Sequence, residues 1–481
     1  MTIPLDLDTA GIAQLGEALR SRQLTVRALV QHGLDRIAQH NAAGANLNAV
    51  RTLSPDALEA ADAMQAELDA GRDRGPLHGI PYLAKDNIMV AGLRASSGVR
   101  ALAEFVPSAD ATIVRRLRDA GAILLGKTNM TELADYVSDV MPSEFSGAGG
   151  VVKNPHGPRY DRGQGSSVGS ASAVAAGFAP FAIGSETQNS IQTPATRSSL
   201  VGFKPTVGFA SRAGIAPLVA SQDSPGPLAR SVADAALVSA VLCAPDPRDG
   251  LTMRWVHERR QAIAATAAPL GGLRIGVPRR AMADKPAYAD SIGSFTRVLD
   301  ALRQAGVTLV DPCDVPSSEQ LLDVVSSVFR AEFKASFDAF LQEHGSPCGI
   351  DSLQALVTWN ASHPEAIPYG QVLMERAAAT GPLHEDTYLA DRARDLALAL
   401  HGGIEAALDL GQADALLLPM DAAARMTGKA GAPVLAIPMG KGDDGQPFGV
   451  TLVARPGADA QLLSIGMAVE GVCGQRLLPR L

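Results

Sequence analysis

The sequence predicts an α/β protein built around a layered sheet, and two features carry that expectation. From Gly75 onward, short apolar runs (Ile80 to Ala84, Ala122 to Leu125, Ala179 to Ile183) alternate with helical stretches and Gly/Pro turns, the pattern of βα units. Aromatics make up only 4% of the chain while Ala and Gly are abundant, and small side chains let helices and sheets approach closely. At 481 residues with a near-average apolar fraction, the chain can bury a large core.

Residues 1–70 read as a helical layer, in which Thr25 caps a segment carrying Val26, Leu29, Val30, Leu34 and Ile37 at helical spacing. Residues 71–235 hold the alternating core and the catalytic candidates discussed below. Residues 236–402 read as a variable, mostly helical, substrate-facing region with strands at Leu273 to Val277 and Val307 to Val310 and loops around His344 to Ile350 and His363 to Tyr369. Residues 403–481 return strands (Ala415 to Leu418, Val434 to Ile437, Val450 to Val453) and a helix to the same sheet, giving one compact domain overall.

A formal charge of −8 spread along the chain supplies no basic footprint, so nucleic acid is not an expected partner. Cys243, Cys313, Cys348 and Cys473 stand far apart with no C-x-x-C pairing, which argues against a zinc site or a disulfide framework and suits a reducing cytoplasm. The N-terminus has no basic n-region, so export is not expected. The longest small-and-apolar stretch, Ala171 to Gly184, is shorter than the ~20 residues of a membrane span and is interrupted by Ser172, Gly177 and Pro180. It predicts a buried helix turning into a strand.

Four motifs fail on context. Gly121-Ala-Ile-Leu-Leu-Gly126-Lys127-Thr128 matches the letters of a phosphate loop, but Ala111 to Ala120 reads as a helix and Ala122 to Leu125 as a buried strand, leaving no open loop between the glycines. Gly165-Ser166-Ser167-Val168-Gly169 spells a nucleophile elbow, yet Val151 to Gly163 is too rich in Pro, Gly and charge to be the strand before it. Gly163-Gln-Gly165 misplaces the third glycine of a dinucleotide fingerprint. His257-Glu258 and His384-Glu385 are each followed by the wrong residues for a zinc peptidase.

What remains is Lys85 in Gly79-Ile-Pro-Tyr-Leu-Ala-Lys-Asp-Asn-Ile, and two serine clusters, Gly163-Gln-Gly-Ser166-Ser167-Val-Gly-Ser170 and Gly184-Ser-Glu-Thr-Gln-Asn-Ser190-Ile. Individually, Lys85 reads as a surface lysine paired with Asp86, and the serines as loop or capping hydroxyls. Their joint order and flanks favour chemistry. With Gly126-Lys-Thr-Asn-Met130, Val201-Gly-Phe-Lys-Pro-Thr206, Ser224-Pro-Gly-Pro-Leu-Ala-Arg230 and Pro447-Phe-Gly-Val-Thr-Leu-Val453, the chain resembles the amidase signature family over nearly its whole length.

The resemblance implies a mixed central sheet covered by helices on both faces, and acyl transfer from an amide to water without metal or cofactor. It places the base at Lys85, the cis-peptide serine at Ser166 and the nucleophile at Ser190, 24 residues further on. A serine hydroxyl needs a neighbouring base, and a lysine can serve if burial lowers its pKa by roughly 2–3 units. Desolvation by Ile80, Tyr82 and Leu83 would do this. Backbone N–H groups of Thr187, Gln188, Asn189 and Ser190 are the expected oxyanion hole. Ser167, Glu186 and Arg197 are expected to support the site from behind, Glu186 by orienting the loop.

The chain departs from the commoner pattern at Gln188-Asn189, where many members have two glycines, and at Gln192, where many have arginine. Asn tolerates the left-handed region nearly as glycine does, so the loop is expected to survive with a narrower or more polar floor. The expected substrate is a small amide, a peptide amide or a carbamate, and Asn129 to Gly150 resembles members acting on C-terminal peptide amides. The alternatives are an amidotransferase subunit that hydrolyses glutamine for a partner enzyme and, further off, a nucleotide-binding protein using Gly121 to Thr128. The sequence leaves a homodimer open.

Overall fold

The computed structural model describes residues 5–157, 165–256, 266–280 and 291–481. Of the motif residues named above, Gly163, Gln164, His257 and Glu258 lie outside the described residues.

Among the described residues, thirteen strands are defined in chain order: β1 (Val50–Leu53), β2 (Pro81–Lys85), β3 (Ile123–Thr128), β4 (Phe145–Ser146), β5 (Gly150–Val151), β6 (Phe181–Glu186), β7 (Val201–Lys204), β8 (Ser224–Ala229), β9 (Arg274–Gly276), β10 (Thr308–Val310), β11 (Ala415–Pro419), β12 (Val434–Lys441) and β13 (Pro447–Val453). Eleven form one sheet in the order β1-β3-β2-β6-β8-β7-β12-β13-β11-β9-β10, while β4 and β5 form a separate two-stranded ribbon. The large sheet is mixed: β3-β2-β6 and β11-β9-β10 run parallel, and the strands between them pair antiparallel. Parallel strands need both faces covered, and every residue of β2 and β3 is buried accordingly.

The cap at Thr25 forms as expected, its hydroxyl accepting from Ala28 N at 3.1 Å, and Val26, Leu29, Val30 and Ile37 are buried beneath it. Five strands were not expected, β1, β4, β5, β7 and β8, and two of them are informative. The layer read as helical contains β1, a four-residue edge strand too short to show a period. β8 runs Ser-Pro-Gly-Pro-Leu-Ala through the middle of the sheet, where proline ordinarily argues against a strand. The β7 ladder reaches only Leu228 and Ala229, so Pro225 and Pro227 lie past its end. Gly226 allows the close approach, since a Cβ there would stand 2.0 Å from the Phe203 carbonyl oxygen.

Ala171 to Gly184 forms the anticipated helix-to-strand element: helix Val168–Ala175 is buried along its whole length and leads into β6. Gly169 lets that helix press on the sheet, because a Cβ would lie 2.2 Å from the Asn129 carbonyl oxygen. No described helix is long and apolar enough to cross a membrane.

Gly226→Ala should therefore force β7 and β8 apart at the sheet centre. A loss of roughly 1–3 kcal/mol is expected, seen as a lower urea midpoint with an unchanged slope. An unchanged midpoint would contradict the packing described.

Candidate active site

The parallel register of β2 and β6, with Ala84 opposite Ile183, brings Lys85 and Ser185 to the same carboxyl edge of the sheet. Crevices at that edge are where open α/β sheets place their ligands. Lys85 is 0% exposed, and its Nζ lies 2.6 Å from Ser166 Oγ, 3.0 Å from Ser185 Oγ and 3.1 Å from the Ser185 carbonyl oxygen. Ser185 Oγ also accepts from Asn87 Nδ2 at 3.0 Å.

Three acceptors match the three N–H donors of an ammonium, and the same set also serves an uncharged amine. A neutral lysine has two N–H donors and one lone pair, and Ser185 offers a carbonyl that can only accept and a hydroxyl with lone pairs to spare. Both N–H groups can go to Ser185, which leaves the lone pair facing the Ser166 hydroxyl. Burial lowers the Lys85 pKa to about 7 against the opposing pull of Asp223, Glu186 and Asp135. Asp86 is not a surface partner for Lys85. It is buried, and its Oδ2 accepts from Ser96 N at 3.0 Å and from the Ser96 hydroxyl at 2.5 Å.

Ser166 follows a cis Gly165–Ser166 peptide. Glycine is required at 165, where a Cβ would stand 2.2 Å from Thr131 Oγ1. Ser167 joins the two serine segments: its N–H donates to the Ser190 carbonyl at 3.1 Å, and its Oγ donates to the Ser185 carbonyl at 3.2 Å. Ser190 is 4% exposed and lines an open cleft of about 300 Å³ with Thr187, Gln188, Asn189, Asp135 and Phe329. Among the described residues, the N–H groups of Thr187, Gln188 and Ser190 donate to no protein acceptor.

Glu186 holds the loop from beneath. Its Oε2 accepts from Ile191 N at 2.6 Å and Gln192 N at 2.9 Å, and its Oε1 from Gln192 Nε2 at 2.8 Å. Gln192 Nε2 also donates to the Gln188 carbonyl at 2.8 Å, so the residue that replaces the commoner arginine is built into the loop. Neither Gln188 nor Asn189 has a positive φ, so the left-handed tolerance expected of Asn189 is not used. Gln188 turns toward Gly428, where an added Cβ would lie 3.0 Å from its Cγ. Arg197 ends helix Gln192–Arg197, and its carbonyl accepts from Asn154 Nδ2 at 3.0 Å, a contact with the 151–157 segment and not with the lysine cluster.

The lysine of the phosphate-loop lookalike is fully buried in β3, its Nζ donating to the Asp86 carbonyl at 3.1 Å. Sequence reasoning missed Asn87, Ser185, Asp223 and Asp135. Ser185 and Asn87 stood inside quoted motifs, but only the β2–β6 register reveals that they meet. Asp223 Oδ1 accepts from Thr187 Oγ1 at 2.6 Å, a contact spanning 36 residues that no local pattern carries.

A mixed α/β sheet with an amine, hydroxyls and free amide N–H groups at its carboxyl edge defines an enzyme of amide C–N bonds, and comparison with known proteins agrees. A family model described as Amidase matches residues 28–430, and the chain belongs to that family. It is similar to the peptide amidase of Stenotrophomonas maltophilia, with 35% identity, 98% of each chain covered and a TM-score of 0.90. An amidase family protein of Bacillus anthracis is 30% identical with a TM-score of 0.88, over 98% of this chain and 92% of the other. A glutamyl-tRNA(Gln) amidotransferase subunit of Deinococcus radiodurans is 32% identical over 96% of each chain.

The depressed lysine pKa has a consequence for folding. Between pH about 7, its folded value, and 10.5, its ordinary value, the unfolded chain holds a proton that the folded one has released, so Lys85 makes stability rise with pH. Wild type should gain on Lys85→Met by about 1 kcal/mol per pH unit from pH 7.5 to 9.5 in urea unfolding. A gap that stays constant over that window would show Lys85 charged in the folded state.

Proposed function

We propose that the protein hydrolyses a carboxamide, including a C-terminal peptide amide, through a covalent acyl-enzyme on Ser190, with Ser166 relaying protons to and from Lys85. The observation that carries this reading is the lysine cluster: a fully buried amine whose Nζ lies 2.6 Å from Ser166 Oγ. Neutral Lys85 draws the Ser166 proton, Ser166 draws that of Ser190, and Ser190 Oγ attacks the amide carbon. Charge gathers on the carbonyl oxygen, where the N–H groups of Thr187, Gln188, Asn189 and Ser190 would receive it. The C–N bond breaks as the proton returns through Ser166 to the leaving nitrogen, giving ammonia or an amine. Water then attacks the Ser190 ester by the same relay and releases the acid.

The likeness to a peptide amidase, at 35% identity and a TM-score of 0.90, supports a peptide amide as substrate. The likeness to a component of an amidotransferase supports a second reading, glutamine hydrolysis for a partner enzyme. Glutamine-dependent ammonia release together with co-purifying partner chains would favour the second.

Intact-mass measurement after exposure to amides, esters and carbamates should show an acyl adduct on wild type and none on Ser190→Ala; equal adducts on both would remove Ser190 from its role. Lys85→Ala should lower amide turnover by about 10²–10⁴-fold and ester turnover less, because a better leaving group needs less proton delivery. Equal losses on both would contradict the relay. Amide kcat/KM should rise through pH about 7 as Lys85 loses its proton.

A further inference from the structure

Three carboxylates bias the charge of Lys85: Asp223, Glu186 and Asp135. Two of them are committed to the protein. Glu186 uses both oxygens on the loop after β6, and Asp223 Oδ2 adds Leu218 N at 2.8 Å and Val219 N at 3.0 Å to the Thr187 hydroxyl on its other oxygen.

Asp135 is different. Its Oδ2 accepts from Ser143 Oγ at 2.9 Å, and among the described residues its Oδ1 has no hydrogen-bond partner and neither oxygen has a cation within ion-pair distance. It lines the cleft that holds Ser190, among Ala134, Tyr136, Leu218 and Phe329. The backbone is bent to deliver it there: Leu133, Ala134 and Asp135 have φ of +43°, +56° and +76°, three successive non-glycine residues in the left-handed region. That region disfavours Leu and Ala in particular, and such backbone persists where its surroundings enforce it. A carboxylate presented to the cleft without a cation beside it stays poorly compensated until a ligand meets it.

We propose that Asp135 is a specificity-determining residue that selects amides whose acyl part carries a positive charge near the scissile bond, such as amino-acid and short peptide amides with a free ammonium. Its carboxylate accepts from that ammonium and repels an acyl group bearing a carboxylate at the same place. This inference rests on the amide-hydrolase reading above and narrows its substrate class.

Three substrates sharing one acyl skeleton test it at pH 7.5: an amino-acid amide with a free amine, its N-acetyl derivative and its N-succinyl derivative. Wild type should rank them by kcat/KM as cationic, then neutral, then anionic. Asp135→Asn keeps the shape and suits a left-handed backbone, and it should lower the cationic-to-neutral ratio by about tenfold whatever loss is common to all three. A purely structural role would move all three together and leave the ratio where it was, which overturns the proposal. A wild-type ranking with the anionic amide first overturns it without any variant, should Asp135→Asn fail to fold. Wild type that cleaves none of the three sinks the peptide-amide reading itself, whereas cleavage with an unmoved ratio sinks only the role of Asp135.

Discussion

Lys85 loses contact with water at the end of β2, and the surrounding architecture makes that loss tolerable. An ammonium there would sit among buried strands, so desolvation outweighs three nearby carboxylates and the pKa falls to about 7. The neutral amine then finds a complete set of partners, two on Ser185 and one on Ser166. β2 is flanked by parallel neighbours on both sides, which fixes the depth and direction of the side chain. Asn87 holds the Ser185 hydroxyl, and Ser167 holds the Ser185 carbonyl.

The loop after β6 leaves amide N–H groups beside the cleft without protein acceptors among the described residues. Glu186 makes this possible by taking the N–H groups of Ile191 and Gln192, which start the following helix, so those of Thr187, Gln188 and Ser190 need not fold inward. Burial pushes the Glu186 pKa up while Lys204 and the loop donors pull it down. Gln192 completes the clasp through its side-chain amide, an arrangement open to glutamine where the commoner arginine would carry a charge. The Gln188-Asn189 floor thus changes the walls of the cleft without a left-handed backbone at either residue.

Much of this was legible in the chain. The βα alternation and the helical layer came from periodicity, and the serine clusters and Lys85 stood out by their flanks. The misses have definite physical origins. β1 is too short to show a period, and β8 carries prolines that the end of the β7 ladder accommodates. Asn87 and Ser185 needed the β2–β6 register, and Asp223 and Asp135 needed tertiary contacts. Nothing in Thr131-Glu-Leu-Ala-Asp135 announces three left-handed residues, since Leu and Ala avoid that region unless packing imposes it. Conversely, the glycine-lysine-threonine stretch at Gly126 spells a loop that the apolar run before it turns into a strand.

The proposed chemistry requires that one amine be uncharged near neutral pH. Carbon-13 and nitrogen-15 labelling of lysine, with Lys85→Met to assign the signal apart from the also buried Lys127 and Lys204, lets NMR follow its titration directly. The side chain of Lys85 should lose its proton around pH 7, far below the ordinary 10.5. A signal that stays in the ammonium form to pH 9 would contradict the account.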